Sequence, residues 1–256
     1  SKFKFPDAKV DALSMVWNVP TDSIVLTPKD NQKISMFKNS VTLDGSLILK
    51  NDDLKGVGTL EWNKTKLVSQ DIDFTDKSFD AKNGQLNLTN DEGNSMLKSD
   101  DVNAFFDLTK KIADIELNKN DTIPLESFKY IANPKYLRFD LVANTLQLKS
   151  ASPSSLFFLQ STDPTKELLT FETSSADLNL NDNTIHFGGI KDLKLADSKV
   201  QPNKDEIYIE ADGSVRTLNK AILIFNADSN FHKVKNSTIN IISRNNFTAN
   251  GEYEYK

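Results

Sequence analysis

The chain has 256 residues, of which 38% are hydrophobic and 26% are charged, and this composition indicates a folded chain rather than a disordered one. Its net charge is −5, with lysines scattered among the acids, so the basic stripe that a nucleic-acid partner requires is absent. The lack of cysteine excludes disulfides, thiolate nucleophiles and cysteine zinc sites. No run approaches the ~18 apolar residues of a membrane span, so we expect no transmembrane segment in this chain.

The dominant pattern is an alternation of apolar and polar residues in short runs, which predicts β-strands. In chain order, these runs cover residues 41–43, 47–49, 86–88, 137–148, 178–187, 207–209 and 221–227. Asn, Asp, Gly and Pro separate them. The dipeptide Asp212-Gly213 predicts a tight hairpin turn, because both residue types tolerate positive φ. One apolar face is formed by Ala221, Leu223, Phe225 and Ala227, and Ile222 and Ile224 lie on the other, which predicts a strand buried on both sides.

Three segments look like variants of one hairpin, namely residues 106–117, 139–148 and 178–187. Their irregular spacing of roughly 30 to 40 residues is typical of degenerate repeats in a stacked β architecture. We therefore predict an all-β fold, an elongated stack of β-hairpins that forms an open folded-over or solenoid-like sheet, with a β-sandwich as the alternative. Residues 1–40 are predicted to be an N-terminal extension or first strands, and residues 41–256 the repeated hairpin module, with a subdivision near 120–126.

Residues 100–117 fit two kinds of secondary structure. Their apolar positions match a helical stripe, with Ser99 or Asp100 as the N-cap. They also continue the strand pattern of their neighbours. We predict strands here, because the flanking segments read as strands.

The acidic residues Asp71, Asp73, Asp76 and Asp80 superficially suggest a calcium loop. Such a loop needs Gly at its sixth position and Glu at its twelfth, where this chain has Asp76 and Lys82. Asp71 and Asp73 alternate with apolar neighbours, so we interpret them as the solvent face of a strand. No metal site is predicted.

Catalytic motifs are also missing from the sequence. The histidines are His186, placed on the outer face of a predicted strand, and His232, in a polar loop. No nucleophile elbow, phosphate loop or dinucleotide fingerprint occurs, and the 9 glycines are dispersed. We therefore expect a protein that is not an enzyme, with no catalytic residue and no cofactor.

Two features are candidates for interaction or modification. The apolar run Leu156, Phe157, Phe158 and Leu159 is either a short buried strand or an exposed patch that contacts a partner or ligand. Ser23 and Thr122 each follow an Asp and precede an Ile, and these tripeptides resemble O-glycan acceptor sites of some Gram-negative envelope proteins. Both hydroxyls are therefore candidate O-glycosylation sites.

The second half of the chain carries a family resemblance, in residues 136–140, 190–202, 221–225 and 247–255. Together with the preceding residues from about 40 onwards, this run resembles a group of very large, uncharacterised Gram-negative envelope proteins built of many β segments. More remotely, the strand–Asn-turn–strand units are similar to the lipopolysaccharide-transport (OstA-like) fold, in which hairpins stack into an open, folded-over sheet. The resemblance implies a periplasmic, outer-membrane-associated or extracellular location, and a structural or lipid-handling role.

The first functional expectation is a non-enzymatic structural or partner-binding β module of a larger envelope protein. Its partners would be other envelope proteins or the rest of its own chain. The alternatives are a lipid- or lipopolysaccharide-handling module and a carbohydrate-binding or adhesive module. A closed interior filled by the chain's own side chains, without bound lipid, is expected because the apolar faces carry Leu, Ile and Phe with few small residues. Exposure of Trp17 and Trp62 on one surface would favour the carbohydrate-binding or adhesive module.

Overall fold

The structure of the protein, a computed structural model, describes residues 4–89, 93, 95–119, 122–225 and 232–253. Strands account for 62% of the residues and helices for 5%, which confirms the predicted all-β class. The chain divides into two compact units. The first runs up to Lys119 and includes Asp140–Val142, and the second holds Asn120–Phe139 and the chain from Ala143 onwards.

The first unit is an antiparallel sheet in which most strands pair with their neighbours in sequence. Its strands are β1 Ala8–Lys9, β2 Leu13–Asn18, β3 Ser23–Pro28, β4 Ile34–Met36, β5 Val41–Leu49, β6 Leu54–Trp62, β7 Thr65–Phe74, β8 Ser78–Thr89, β9 Ser95–Asp107 and β10 Ile112–Leu117, with a short 3-10 helix at Val19–Thr21. β5 to β10 form a meander. The outer edge of β5 pairs with β4 along its first half and with β3 along its second half. The first 40 residues thus contribute strands to this sheet.

A line of irregularities crosses the long strands of the first unit at their midpoints. Gly45 of β5 lies opposite Gly58 of β6, and the register shifts between Gly56 and Gly58 where β6 meets β7. Further shifts surround Gly84, where β8 meets β9. A Cβ atom on Gly45 would lie 2.0 Å from the Val57 carbonyl oxygen, so only glycine permits this close backbone approach. The line divides each long strand into two arms.

The two arms of the sheet face each other across an aromatic core. Trp62, at the end of β6, pairs with Thr65 of β7, and Thr65 pairs with Leu88 of β8. Leu88 in turn pairs with Leu97 of β9, which lies nine positions before Phe106 in the same strand. In a flat sheet these nine positions would span about 30 Å. The rings of Trp62 and Phe106 are instead 5.1 Å apart. The sheet therefore folds over on itself, as the predicted folded-over architecture requires.

The second unit alternates hairpins between layers. Its strands are β11 Ile123–Leu125, β12 Tyr130–Ala132, β13 Tyr136–Asp140, β14 Thr145–Lys149, β15 Phe157–Ser161, β16 Thr170–Thr173, β17 Ser175–Asn179, β18 Thr184–Gly188, β19 Leu193–Leu195, β20 Ser198–Gln201, β21 Glu206–Ile209, β22 Leu218–Phe225, β23 His232–Ile241 and β24 Phe247–Tyr253, with 3-10 helices at Glu126–Phe128, Pro164–Lys166 and Asn203–Asp205. β13, β14, β17, β18 and β21 are neighbours in one sheet. β11, β12, β15 and β16 form a second sheet, and β19, β20, β22, β23 and β24 form a third.

Residues 170–188 show how the layers are connected. β16 and β17 are separated by Ser174 alone, so the chain changes layer at a sharp corner. Phe171 of β16 then stacks on Phe187 of β18, with ring centroids 4.6 Å apart. At the corner, the buried Thr173 hydroxyl donates to the carbonyl oxygen of Gly188 at 2.6 Å. The second unit is thus a folded-over arrangement closed by aromatic packing.

Several sequence-based predictions are confirmed at the level of single elements. Residues 100–107 and 112–117 are strands joined by a turn, and β9 pairs with β10. The hairpin predicted at 178–187 pairs Leu178 with Ile185. At Asp212-Gly213 the chain makes a tight turn, in which Gly213 has φ 80° and its N–H donates to the Glu210 carbonyl oxygen at 2.8 Å. β22 is less buried than predicted, because Phe225 is 40% exposed and Ile222 is half-buried, and residues 226 and 227 of the predicted strand lie outside the described residues.

Candidate interaction surface

The first unit displays an exposed apolar strand. β2 has the sequence Leu-Ser-Met-Val-Trp-Asn, and all six residues are exposed. The side chains of Met15, Val16 and Trp17 are 66%, 62% and 64% exposed, and Leu13 and Val19 flank them at 41% and 65%. We call residues 13–19 the β2 edge. Large apolar side chains that cluster on a surface typically mark an interaction site.

Local sequence explains why these exposed residues still form a strand. Val and Trp favour the extended backbone, and each residue of β2 pairs with one of β3, for example Val16 with Val25. The connecting 3-10 turn ends at Asp22, whose φ of 44° lies in the left-handed region that Asp tolerates. β3 is anchored on its other side by β5. The hairpin is therefore held by the sheet, while its outer strand stays uncovered.

The outer side of β2 is an open sheet edge. Among the described strands, β2 pairs with β3 alone, so the backbone groups on its other side face no strand. Natural proteins usually protect such edges with lysine, proline, glycine or inward charges, and β2 contains none of these. The edge strand β24 differs, because it includes Gly251 and Glu252. The β2 edge is thus a favourable surface for pairing with another strand.

The sequence pattern does not single out the β2 edge, because residues 1–40 as a whole fit an extension or first strands. A signal was present, since the six residues of β2 carry no charge and Asp11 and Asp22 flank them. Their apolar residues are consecutive rather than alternating, and such a run does not reveal which residues will be buried.

The predicted contact run at residues 156–159 is mostly interior. Phe157 and Leu159 are buried in β15, which pairs with β12 on one side and β16 on the other. Phe158 is half-buried, and Leu156, just before the strand, is 56% exposed. The four residues therefore do not form one exposed patch, because alternation along β15 turns Phe157 and Leu159 inwards. Leu156 and Phe158 are the members of the run that a partner could reach.

The two candidate glycosylation residues differ in accessibility. The Ser23 hydroxyl is buried at the start of β3 and lies 2.8 Å from the Thr21 hydroxyl, with which it shares a hydrogen bond. Thr122 is exposed just before β11. A glycan on Ser23 would have to displace this packing, whereas Thr122 can carry one on the folded protein.

The two tryptophans lie in different environments. Trp17 is on the β2 edge, whereas Trp62 is 8% exposed and packs edge-on against Phe106. They therefore do not form one exposed surface of the kind that the hypothesis of a carbohydrate-binding module requires.

Two clefts in the second unit are lined by charged side chains. The first, of about 210 Å³, is bordered by Lys129, Asp163, Lys166 and Asp212. The second, of about 300 Å³, is bordered by Thr170, Glu172, Asp192, Lys194, Lys199 and Arg244. Both are at or below the lower end of the ~300–1,000 Å³ typical of small-molecule pockets. Charges of both signs line each cleft, which does not suit an acyl chain.

Asp71 and Asp73 lie in a surface ion-pair network. Lys55 Nζ is 2.9 Å from Asp71 Oδ1 and 2.7 Å from Asp73 Oδ1, and Lys82 approaches both carboxylates. The hydrogen bond from Lys55 holds the pKa of Asp71 below its usual value. Among the residues that the structure describes, no group of three or more His, Asp or Glu side chains is placed to hold a metal ion.

His186 lies within a polar row on the outer face of the second unit. Its ring stacks on Tyr208 with centroids 4.4 Å apart, and Asp177 and Glu206 lie 4.0 and 3.9 Å from its two nitrogens. The guanidinium of Arg216 lies 4.5 Å from the centre of the Tyr208 ring. These contacts support β21 on its neighbour β18.

Comparison of the chain with protein-family models, curated proteins and solved structures returned no match. In the part of the chain that the structure describes, no helix combines the length and apolar character needed to cross a membrane.

Proposed function

We propose that this protein is a non-enzymatic β module of a larger envelope protein, located in the periplasm or at the outer membrane, which acts as a scaffold and binds a protein partner through the β2 edge. The observation that carries the proposal is the exposure of Met15, Val16 and Trp17 on a strand with an open side. Strand addition to such an edge supplies backbone hydrogen bonds, and the exposed side chains supply apolar contact.

The aromatic packing inside each unit supports a scaffold over a lipid handler. In the first unit, Phe79 stacks on Phe106 at 4.5 Å, and Trp62 packs edge-on against Phe106 at 5.1 Å. In the second unit, Phe171 and Phe187 occupy the corresponding position. A lipid handler needs a continuous apolar gap between its layers, and these stacked rings occupy that space. Native mass spectrometry of protein isolated from bacterial membranes is therefore expected to give the bare polypeptide mass, without stoichiometric lipid adducts.

Site-specific photo-crosslinking in the producing cell tests partner binding directly. A photoreactive amino acid at Val16 is expected to give an adduct of one defined mass with a protein, identified by mass spectrometry. The matched control is the same amino acid at Thr248, an exposed position of the edge strand β24. A single adduct at Val16 that is absent at Thr248 supports the proposal. No adduct at Val16, or equal labelling at both positions, contradicts it.

A further inference from the structure

We propose that the partner at the β2 edge is a second copy of this chain, and that two β2 strands pair antiparallel about a two-fold axis at Val16. The inference rests on the proposed function and names its partner. It comes from the order of apolar and polar residues along the β2 edge, which is the same from residue 13 to 19 as from residue 19 to 13. Leu13 and Val19 are apolar and equidistant from Val16, as are Met15 and Trp17, whereas Ser14 and Asn18 are both polar.

An antiparallel pair of identical strands uses this symmetry. Residues directly opposite each other in a strand pair point to the same face of the sheet. A two-fold axis perpendicular to the sheet must therefore pair odd-numbered residues with odd-numbered residues, and even-numbered residues with even-numbered ones. With Val16 on the axis, Met15 lies opposite Trp17 of the second copy. Ser14 lies opposite Asn18, and Val16 opposite its own equivalent. Within residues 14–18, apolar residues then meet apolar residues and polar residues meet polar ones, whereas Val19, the counterpart of Leu13, belongs to the 3-10 helix that follows the strand.

Charge does not oppose the pairing of β2 with its own copy. Like charges directly opposite each other destabilise a strand pair, and this is the usual obstacle to pairing a strand with itself. β2 has no charged residue, so self-pairing meets no such repulsion within the strand. Trp17 and Met15, both more than 60% exposed, would cover each other on one face, and the two Val16 side chains on the other.

The size of the contact sets the expected strength. A pair of six-residue strands is small beside the ~1,600 Å² buried in a standard stable interface. We therefore expect a weak dimer whose population rises with protein concentration. Sedimentation velocity over a concentration series is expected to show a monomer at low concentration and a growing dimer at high concentration. A monomer at every concentration up to about 1 mM, where even a very weak complex is half-formed, overturns the proposal.

Cysteine variants test the register, because the chain has no cysteine of its own. In the proposed pair the two copies of Val16 are directly opposite, and their Cβ atoms are about 4.5–5.5 Å apart, within reach of a disulfide after small adjustment. Val16→Cys is therefore expected to yield a covalent dimer on mild oxidation. Ser14→Cys is the matched control, since residue 14 lies opposite residue 18 rather than its own equivalent. Equal crosslinking of the two variants, or preferential crosslinking of Met15→Cys, overturns the Val16-centred pair.

Charge variants give a second, independent readout. Val16→Lys places two ammonium groups opposite each other and is expected to abolish the dimer, whereas Thr248→Lys on β24 leaves it unchanged. Met15→Lys combined with Trp17→Glu is expected to retain association, because each lysine then faces a glutamate of the other copy. All these positions are exposed, so the variants are expected to unfold within about 0.5 kcal/mol of the parent. A dimer that persists in Val16→Lys contradicts the inference.

The crosslinking experiment on cells separates this inference from the proposed function. A photo-adduct at Val16 with twice the mass of the protein that carries this chain supports both. An adduct with a different protein supports partner binding and overturns self-association. The absence of any adduct overturns both.

Discussion

Trp62 and Phe106 lie nine strand positions apart in the register of the sheet, yet their ring centroids are 5.1 Å apart and their planes meet at 86°. This edge-to-face contact joins the two arms of the folded sheet in the first unit. It lies beside the stacked pair Phe79 and Phe106, so Phe106 contacts an aromatic ring from each arm. The core of the unit is therefore formed by a single sheet folded on itself.

Phe106→Ala is expected to destabilise the first unit by about 3–5 kcal/mol, because it removes the ring that both arms contact and leaves a cavity. Phe105→Ala is the matched control. Phe105 is the preceding residue of the same strand and is 40% exposed, so its loss should cost less than about 1 kcal/mol. Urea unfolding of each variant measures the difference. Similar losses for the two variants would contradict the folded-sheet core.

Gly45→Ala tests the line along which the sheet folds. The added methyl would lie 2.0 Å from the Val57 carbonyl oxygen and 2.9 Å from Gly58 Cα, so the two strands must separate. We expect a loss of about 1–3 kcal/mol in the free energy of unfolding. Asp44→Ala, at the exposed neighbouring position, should remain close to the parent. Equal thermal stability of Gly45→Ala and the parent would show that the strands do not approach so closely.

Thr173→Val tests the corner between the layers of the second unit. Valine has nearly the same shape, but it leaves the Gly188 carbonyl and the Ser175 N–H without the hydroxyl that contacts both. The expected cost is about 1–3 kcal/mol, the price of leaving buried polar groups unpaired. Thr173→Ser keeps the hydroxyl and should recover a substantial part of that stability. If valine and serine behave alike in chemical denaturation, the hydroxyl does not hold the corner.

Gly213→Val addresses the turn after β21. No heavy atom lies within 4 Å of a Cβ placed on Gly213, so the only penalty is its φ of 80°. A β-branched residue is strained there, and we expect a loss of about 1–2 kcal/mol. Gly213→Asn should lose less, since Asn enters the left-handed region more readily. Thermal unfolding of the two variants provides the comparison, and identical midpoints would refute the strained-turn account.

Lys55→Gln tests the ion-pair network and its dependence on pH. The pKa of Asp71 is depressed in the folded protein, chiefly by the hydrogen bond from Lys55. The stabilisation that this pair contributes is therefore present above the ordinary carboxylate pKa, and it is lost as the pH falls through the pKa that Asp71 has in the folded protein. These side chains are partly exposed, so at about pH 7 we expect a loss of only about 0.5–1 kcal/mol. Urea unfolding at about pH 7 and pH 2 should show the variant converging on the parent in acid. A loss that is the same at both pH values would contradict the electrostatic origin.

Much of the local structure was predictable because it depends on neighbouring residues. Alternation at residues 178–187 predicted a hairpin, and the structure pairs Leu178 with Ile185. Asp212-Gly213 predicted a turn, and Gly213 has the expected positive φ. The patch at residues 156–159 could not be resolved in the same way, since its exposure depends on strands β12 and β16 that cover it.

By itself the sequence determined the all-β class, the turn positions and the lack of cysteine chemistry, because each follows from residue type and spacing along the chain. The tertiary structure decided where the sheet of the first unit folds and which apolar residues it covers. Met15 and Leu43 are both apolar residues in strands, yet Leu43 is fully buried and Met15 is 66% exposed. The difference lies in what packs on the faces of each strand: both faces of β2 are exposed, whereas alternate residues of the first part of β5, Leu43 among them, are buried. Such packing comes from residues distant in sequence, so no local pattern encodes it.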